Sequence, residues 1–210
     1  MLQICVQPVT VRVESLHAPS IVRSVNWESR LPVLSGERLE LRELRPEDAG
    51  DLLASIGSPE VYHHIQPPPS TVAGFQRFIE WTRTARSKGR HACFGIVPRE
   101  VKAPVGFIQI WPLGPRSAVA EWGFVLDRRF WGTGMFGEAA ELVIEFAVDA
   151  MRVHRIEGRA SVENGRGNGA LHKLGADREC TLRQCFELHG RPVDHVLWAL
   201  LADEWRERRG

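Results

Sequence analysis

The stretch FVLDRRFWGTGMFGEAAELVIEFAVDAM, residues 124–151, carries three signals in succession. It reads as the end of a buried strand, a tight glycine turn and a long amphipathic helix. Gly132 and Gly134 allow a sharp turn and a close backbone approach, because neither carries a Cβ. Met135, Ala139, Leu142, Val143, Phe146 and Ala150 recur at helical spacing and predict one apolar face. Glu138, Glu141, Glu145 and Asp149 fall on its flank and are expected to be solvated. A glycine turn that opens a helix presents unpaired N–H groups and the positive dipole end, a natural seat for a phosphate or diphosphate.

Upstream, ERLELREL (37–44) alternates as a half-buried strand does. RPEDAGDLLASIG (45–57) has the start and stop signals of a helix, and QPPPST (66–71) is a break that cannot be helical. A second helix is predicted over 71–89, then a hairpin from 91–98 and 103–111, then a strand over 118–126. Downstream, 155–162 reads as a weak strand and 164–176 as a loop leading into a short helix. The segments 179–188 and 192–201 close as a hairpin, with ADEWRERRG as a solvated charged tail. The order predicts a mixed α/β fold in which about four helices pack on one sheet of about seven strands. The domain is expected over 34–210, with 1–33 as an N-terminal extension that is a poorly ordered arm, a docking strand or an over-extended start of translation.

Composition narrows the function classes. With 43% apolar and 25% charged residues, the 210-residue chain has an ordinary soluble globular profile. A net charge of +1 gives no reason to expect nucleic acid or an anionic membrane as partner. Cys5, Cys93, Cys180 and Cys185 are scattered, so neither a metal site nor a disulfide framework is indicated. No apolar run reaches the ~18 residues of a membrane helix, and the start is not that of a signal peptide. A cytoplasmic location is the expectation. The turn has neither GxGxxG nor a Walker lysine, which argues against nicotinamide and nucleoside triphosphates.

The turn resembles the cofactor loop of the GNAT superfamily of N-acetyltransferases, Gln/Arg-x-x-Gly-x-Gly/Ala. Arg129 to Gly134 satisfies that pattern literally, and Trp131 to Phe136 satisfies it at the central glycine. The second register is preferred, because WGxG followed by Glu-Ala resembles the ribosomal-protein alanine/serine (RimJ/RimL-like) N-acetyltransferases. GERLELRELRPEDAGDLL (36–53) and HRIEGRASVENGRGNGALHKLGA (154–176) resemble further signatures of that subgroup. The resemblance covers about residues 34–205. It implies the GNAT fold, a central, mostly antiparallel mixed sheet splayed at the cofactor site.

It also implies acetyl-CoA as cosubstrate. On that reading Trp131, Gly132, Thr133, Gly134, Met135, Phe136 and Gly137 hold the diphosphate through backbone N–H groups. The backbone of Phe124, Val125 and Leu126 lies along the pantetheine arm. Asn164 contacts that arm or forms a turn before Gly165, and Asn168 touches the cofactor or caps the short helix.

Amine acylation needs a neutral nucleophile, so a general base is expected. Glu121 interrupts an apolar strand, where burial raises a carboxyl pKa toward the useful range, and it matches a strand glutamate of many relatives. The family's tyrosine acid falls at Leu171, which leaves His172, Cys180, Cys185 or water as donor. His63 and His64 lie where the family builds its acceptor wall, and Trp81, Trp111 and Trp122 either line the same side or belong to the core, with no site role assigned to them. The partner is an amine, either a protein N-terminus or a small molecule such as a polyamine or antibiotic. A non-catalytic acyl-CoA-binding module is the reading from another class. Monomer and homodimer are both open.

Overall fold

The computed structural model describes residues 26–115 and 117–209. The chain begins with β1 (Leu34–Ser35), β2 (Leu39–Glu43), α1 (Ala49–Ile56) and α2 (Val72–Arg86). A meander of β3 (Ala92–Pro98), β4 (Gly106–Pro112) and β5 (Val119–Leu126) leads into α3 (Met135–Asp149). Then follow β6 (Arg155–Ser161), α4 (Gly165–Lys173), β7 (Asp177–Leu188), β8 (Arg191–Leu201) and α5 (Ala202–Glu207). The eight strands form one sheet in the order β1-β2-β3-β4-β5-β6-β8-β7. Every neighbouring pair is antiparallel except β5 and β6, which are parallel because α3 carries the chain back across the sheet.

Side chains of β5 alternate between two apolar layers, as a pleated strand requires. Ala120, Trp122 and Leu126 enter the larger core, built on α3 with Leu171 of α4 and Trp205 of α5. Val125 enters a smaller core under α1 and α2, with Leu44, Phe75, Ile79, Cys93 and Phe107. Helix α3 is buried more widely than one predicted face, since Ala140, Ile144, Ala147 and Val148 are buried as well.

The pairing of β5 with β6 is short. It runs from Val119 opposite Arg155 to Trp122 opposite Gly158. Beyond that point β5 continues to Leu126 paired with β4 alone, and β6 continues to Ser161 paired with β8 alone. The sheet therefore splays at its centre. Trp122 is packed against the last paired position, where a Cβ on Gly158 would lie 2.7 Å from its Nε1 and 3.1 Å from Leu171 Cδ2. Glycine at 158 is what gives the indole its place.

Four features differ from the sequence reading. The sheet has an eighth strand, β1, whose two residues are too few to show a period. The charged tail is not simply solvated: 202–207 is helical, and Ala202 and Trp205 are buried in the main core. One tryptophan among charges gives no amphipathic pattern, which is why a fifth helix escaped notice. Packing also starts upstream of Leu34, with Trp27 and Leu31 buried and Trp27 meeting Phe146 edge-on at 6.4 Å. The three readings of the extension fall largely on 1–25, outside the described residues. Lastly, two of the four flank acids of α3 are half-buried and paired, Glu138 with Arg38 and Asp149 with Arg206, while Glu141 and Glu145 are exposed as expected.

A methyl group at 158 would overpack this contact. Gly158→Ala is expected to cost about 1–3 kcal/mol in urea-induced unfolding; unchanged stability would show that the indole moves aside freely.

Candidate active site

The glycine turn adopts the geometry its residues predict. Gly132 and Gly134 have φ of +75° and +84°, a region costly to side chains bearing a Cβ. Gly134 occupies the N-cap position of α3, where it supplies no side-chain cap. The N–H groups of Gly132, Thr133, Gly134, Phe136 and Gly137 have no hydrogen-bond partner among the described residues. That of Met135 meets Thr133 Oγ1 only at 3.4 Å. Five open donors at the positive end of a 15-residue helix suit an anion.

Side chains hold the turn from beneath. Trp131 donates through Nε1 to the Leu126 carbonyl at 2.8 Å and is covered by the Arg166 guanidinium at 4.4 Å. The Thr133 hydroxyl donates to the Phe130 carbonyl at 2.8 Å. Arg129 is turned away onto Asp127, with Nε and Nη2 at 2.9 and 2.7 Å from Oδ2. The open N–H groups thus surround Gly134, and the Phe136 N–H is among them.

Along the splay, Gly123 to Leu126 have a strand partner on the β4 side only. The Leu126 carbonyl is already taken by Trp131, so the free edge lies chiefly at Gly123, Phe124 and Val125. The Phe124 ring lies 4.1 Å from that of Phe136, joining the strand to the first turn of α3, and Val125 is buried beneath. Across the splay, Asn164 Oδ1 accepts from the Gly167 N–H at 2.8 Å and caps α4. Its amide nitrogen has no partner among the described residues. A side chain at 167 would meet that amide at 2.6 Å, which accounts for glycine there.

The capping reading of Asn168 is not met, since Asn164 is the cap. Asn168 Nδ2 donates to the carbonyls of Ser161 and Asn164, and its Oδ1 accepts from Trp198 Nε1 at 2.8 Å. Both amide hydrogens are committed within the fold.

Glu121 lies one residue before the splay, on the face opposite α3, with 15% of its side chain exposed. Arg159 Nε stands 3.7 Å from its Oε1, too far for a hydrogen bond. The row continues from Arg159 to Glu157 at 3.9 Å, Glu157 to Arg155 at 2.9 Å, and Arg155 to Glu179 at 2.7 Å. Burial pushes the Glu121 carboxyl above its usual pKa and Glu157 adds to the rise, while the Arg159 charge opposes both. A carboxyl held loosely and poised upward can accept a proton nearer neutrality than an exposed one.

The same face carries the expected acceptor-side residues. Trp111, opposite Glu121 on β4, packs at 3.5 Å from where a Gly123 Cβ would stand and stacks on His91 at 5.8 Å. His91 also meets Trp81 edge-on at 4.9 Å. Burial lowers the His91 pKa to about 4 against a hydrogen bond to Gln109 that raises it, so the ring is neutral at physiological pH. Trp122 is not on this side; it faces α3. His63 and His64 meet at 4.7 Å, and the His189 ring faces His63 at 6.3 Å, bringing the β7–β8 turn against the loop before α2. Leu171 is buried beside Gly158 and Trp122, so the position matching the family tyrosine reaches the splay but offers only hydrocarbon. His172, Cys180 and Cys185 are exposed.

Two residues of this site were absent from the sequence reading, Arg159 and Arg38. Arg159 follows Gly158 directly, and alternation along 155–159 puts it on the Glu121 face, a legible signal once β6 is set beside β5. Arg38 reaches the turn from β2 and had no local signal.

Comparison with known proteins gives a consistent answer. The family described as Acetyltransferase (GNAT) domain matches residues 38–177. The uncharacterized N-acetyltransferase p20 of Bacillus licheniformis is 28% identical over 176 residues, covering 83% of this chain and 99% of that protein. The ribosomal protein uS5-alanine N-acetyltransferase of Escherichia coli is 28% identical over 138 residues, covering 65% and 71% respectively. RimJ of Mycobacterium smegmatis, solved in complex with CoA-disulfide, shares the fold with a TM-score of 0.72 at 22% identity, over 82% of this chain and 85% of that one.

Removing the Arg159 charge leaves only the two influences that raise the Glu121 pKa. Arg159→Met is therefore expected to move the Glu121 titration to higher pH in carbon-13 NMR of labelled carboxyls. A move to lower pH would contradict the assigned electrostatics.

Proposed function

Because the chain belongs to the GNAT acetyltransferase domain family, we propose that it transfers an acetyl group from acetyl-CoA to the primary amine of a protein N-terminus, in the manner of the ribosomal-protein enzymes. The observation that carries the reading is the splay between β5 and β6, open from Gly123 onward and ending at the glycine turn. An elongated ligand with amides at one end and a diphosphate at the other fits that shape and its free groups. The N–H groups around Gly134 would receive the diphosphate, with Gly132 and Gly137 leaving space, since a Cβ at either meets nothing within 4 Å. The backbone of Gly123 to Val125 and the Asn164 amide nitrogen would flank the pantetheine. Asn168 is left out of this set.

The thioester would lie near the apex of the splay, next to Glu121. The amine nitrogen attacks the carbonyl carbon, the C–N bond forms and the C–S bond breaks. Glu121 takes the proton the amine must lose, directly or through water. The departing thiolate has a conjugate pKa near ~8.5 and takes its proton from water, since Leu171 supplies none.

A polyamine or antibiotic amine is the second reading within this chemistry. The hydrocarbon at 171 is the one observation that favours a binding module without turnover.

Thiol release measured over a panel of peptide N-termini, polyamines and aminoglycosides separates these outcomes. Release with peptide N-termini is the expected result; tight acetyl-CoA binding without release on any amine would favour the module. In the active case Glu121→Gln should lower kcat by roughly 10²-fold or more and remove the acidic limb of the pH–rate profile, while acetyl-CoA still binds. Unchanged turnover across pH would exclude Glu121 as base.

A further inference from the structure

The turn before β2 and the first turn of α3, 100 residues apart in sequence, are tied to each other by one pair of side chains. The Arg38 N–H donates to Glu138 Oε1 at 2.9 Å, and its Nε donates to Oε2 at 2.9 Å. Its Nη1 donates to the Thr133 carbonyl at 2.8 Å, inside the glycine turn itself. Nη2 has no hydrogen-bond partner among the described residues and lies 3.2 Å from the point where a Gly134 Cβ would stand. A side chain at Gly36 would strike the Glu138 carboxylate, so that residue too is shaped by the pair. Arg99 fixes the same turn from the end of β3, donating to the Gly36 and Glu37 carbonyls at 2.8 and 3.1 Å.

Glu138 presents a physical difficulty. A carboxylate in the first turn of α3 favours the helix through its dipole, yet it stands four residues from the Gly134 donors, where a dianionic ligand is to bind. Burial alone would push its pKa up, but the hydrogen bonds and charge of Arg38 outweigh that and hold it below the usual carboxylate range. The carboxylate is thus charged at neutral pH, and Arg38 both neutralises it and ties the turn in place.

We propose that Arg38 is a positioning residue for acetyl-CoA: it fixes the Thr133–Gly134 backbone and cancels the Glu138 charge, so that the open N–H groups receive the diphosphate without repulsion. The proposal rests on the acetyl-CoA reading of the glycine turn.

The test is isothermal titration of acetyl-CoA into the wild type, Arg38→Met, Glu138→Gln and the double variant, at low and high salt, with a thermal melt of each. Arg38→Met should weaken binding by roughly tenfold or more at low salt, about 1.4 kcal/mol, and less at high salt because the repulsion is screened. The double variant should recover most of that loss, and the KM for acetyl-CoA should rise by a larger factor than kcat falls. If Arg38→Met binds as the wild type does, or if the double variant is as weak as Arg38→Met with the same fall in Tm, the positioning role is overturned. No saturable binding by the folded wild type would instead overturn the acetyl-CoA reading, and the inference with it.

Discussion

Two parallel strands that pair for four residues and then part impose the central constraint on this molecule. A strand that leaves its neighbour exposes main-chain donors and acceptors, which are costly to bury without partners. The chain keeps β5 in place from the other side, through unbroken pairing with β4 as far as Leu126. It holds β6 through β8 in the same way. Trp122 and Gly158 mark the point of parting, with an indole packed where a side chain would otherwise stand. What remains is a cleft between two strand edges that no longer pair with each other, leading into a turn whose N–H groups are free. The ligand reading follows from where these unpaired groups are concentrated.

Charge around the cleft is arranged with similar economy. On the face opposite α3, acids and arginines alternate from Glu121 through Arg159, Glu157 and Arg155 to Glu179. Each interior member has a neighbour of opposite sign on both sides, so several charges share partial burial at modest cost. Glu121 stands at the end of the row with a single, loose partner and is pushed above the usual range by burial, while Glu179 at the other end is held below it by Arg155. The diphosphate end shows the opposite solution, a carboxylate held low by the one arginine that also grips the turn. One end is left poised and the other is neutralised.

Much of this was legible in the chain itself. The strand, turn and helix from Phe124 to Met151 follow from periodicity and from two glycines that adopt positive φ. Glu121 was legible as a charge among apolar neighbours. The unread parts share a cause: they depend on contacts across long sequence separations or on segments too short for a period. Arg38 and Glu138 lie 100 residues apart, and nothing local in ERLELREL or GEAAEL names the partner. The cap of α4 falls on Asn164 and not on Asn168; both sit at the start of the helix, and only the position of Trp198 decides which one is tied inward. Strand β1 and helix α5 are fixed by what they pack against, not by pattern.

The central claim, that acetyl-CoA occupies the splay and the glycine turn, is tested most directly by amide hydrogen exchange with and without the ligand. Acetyl-CoA should slow exchange at Gly123–Val125 and at Gly132–Gly137 more than anywhere else on the sheet. Protection confined to other segments, or none at saturating ligand, would contradict the account.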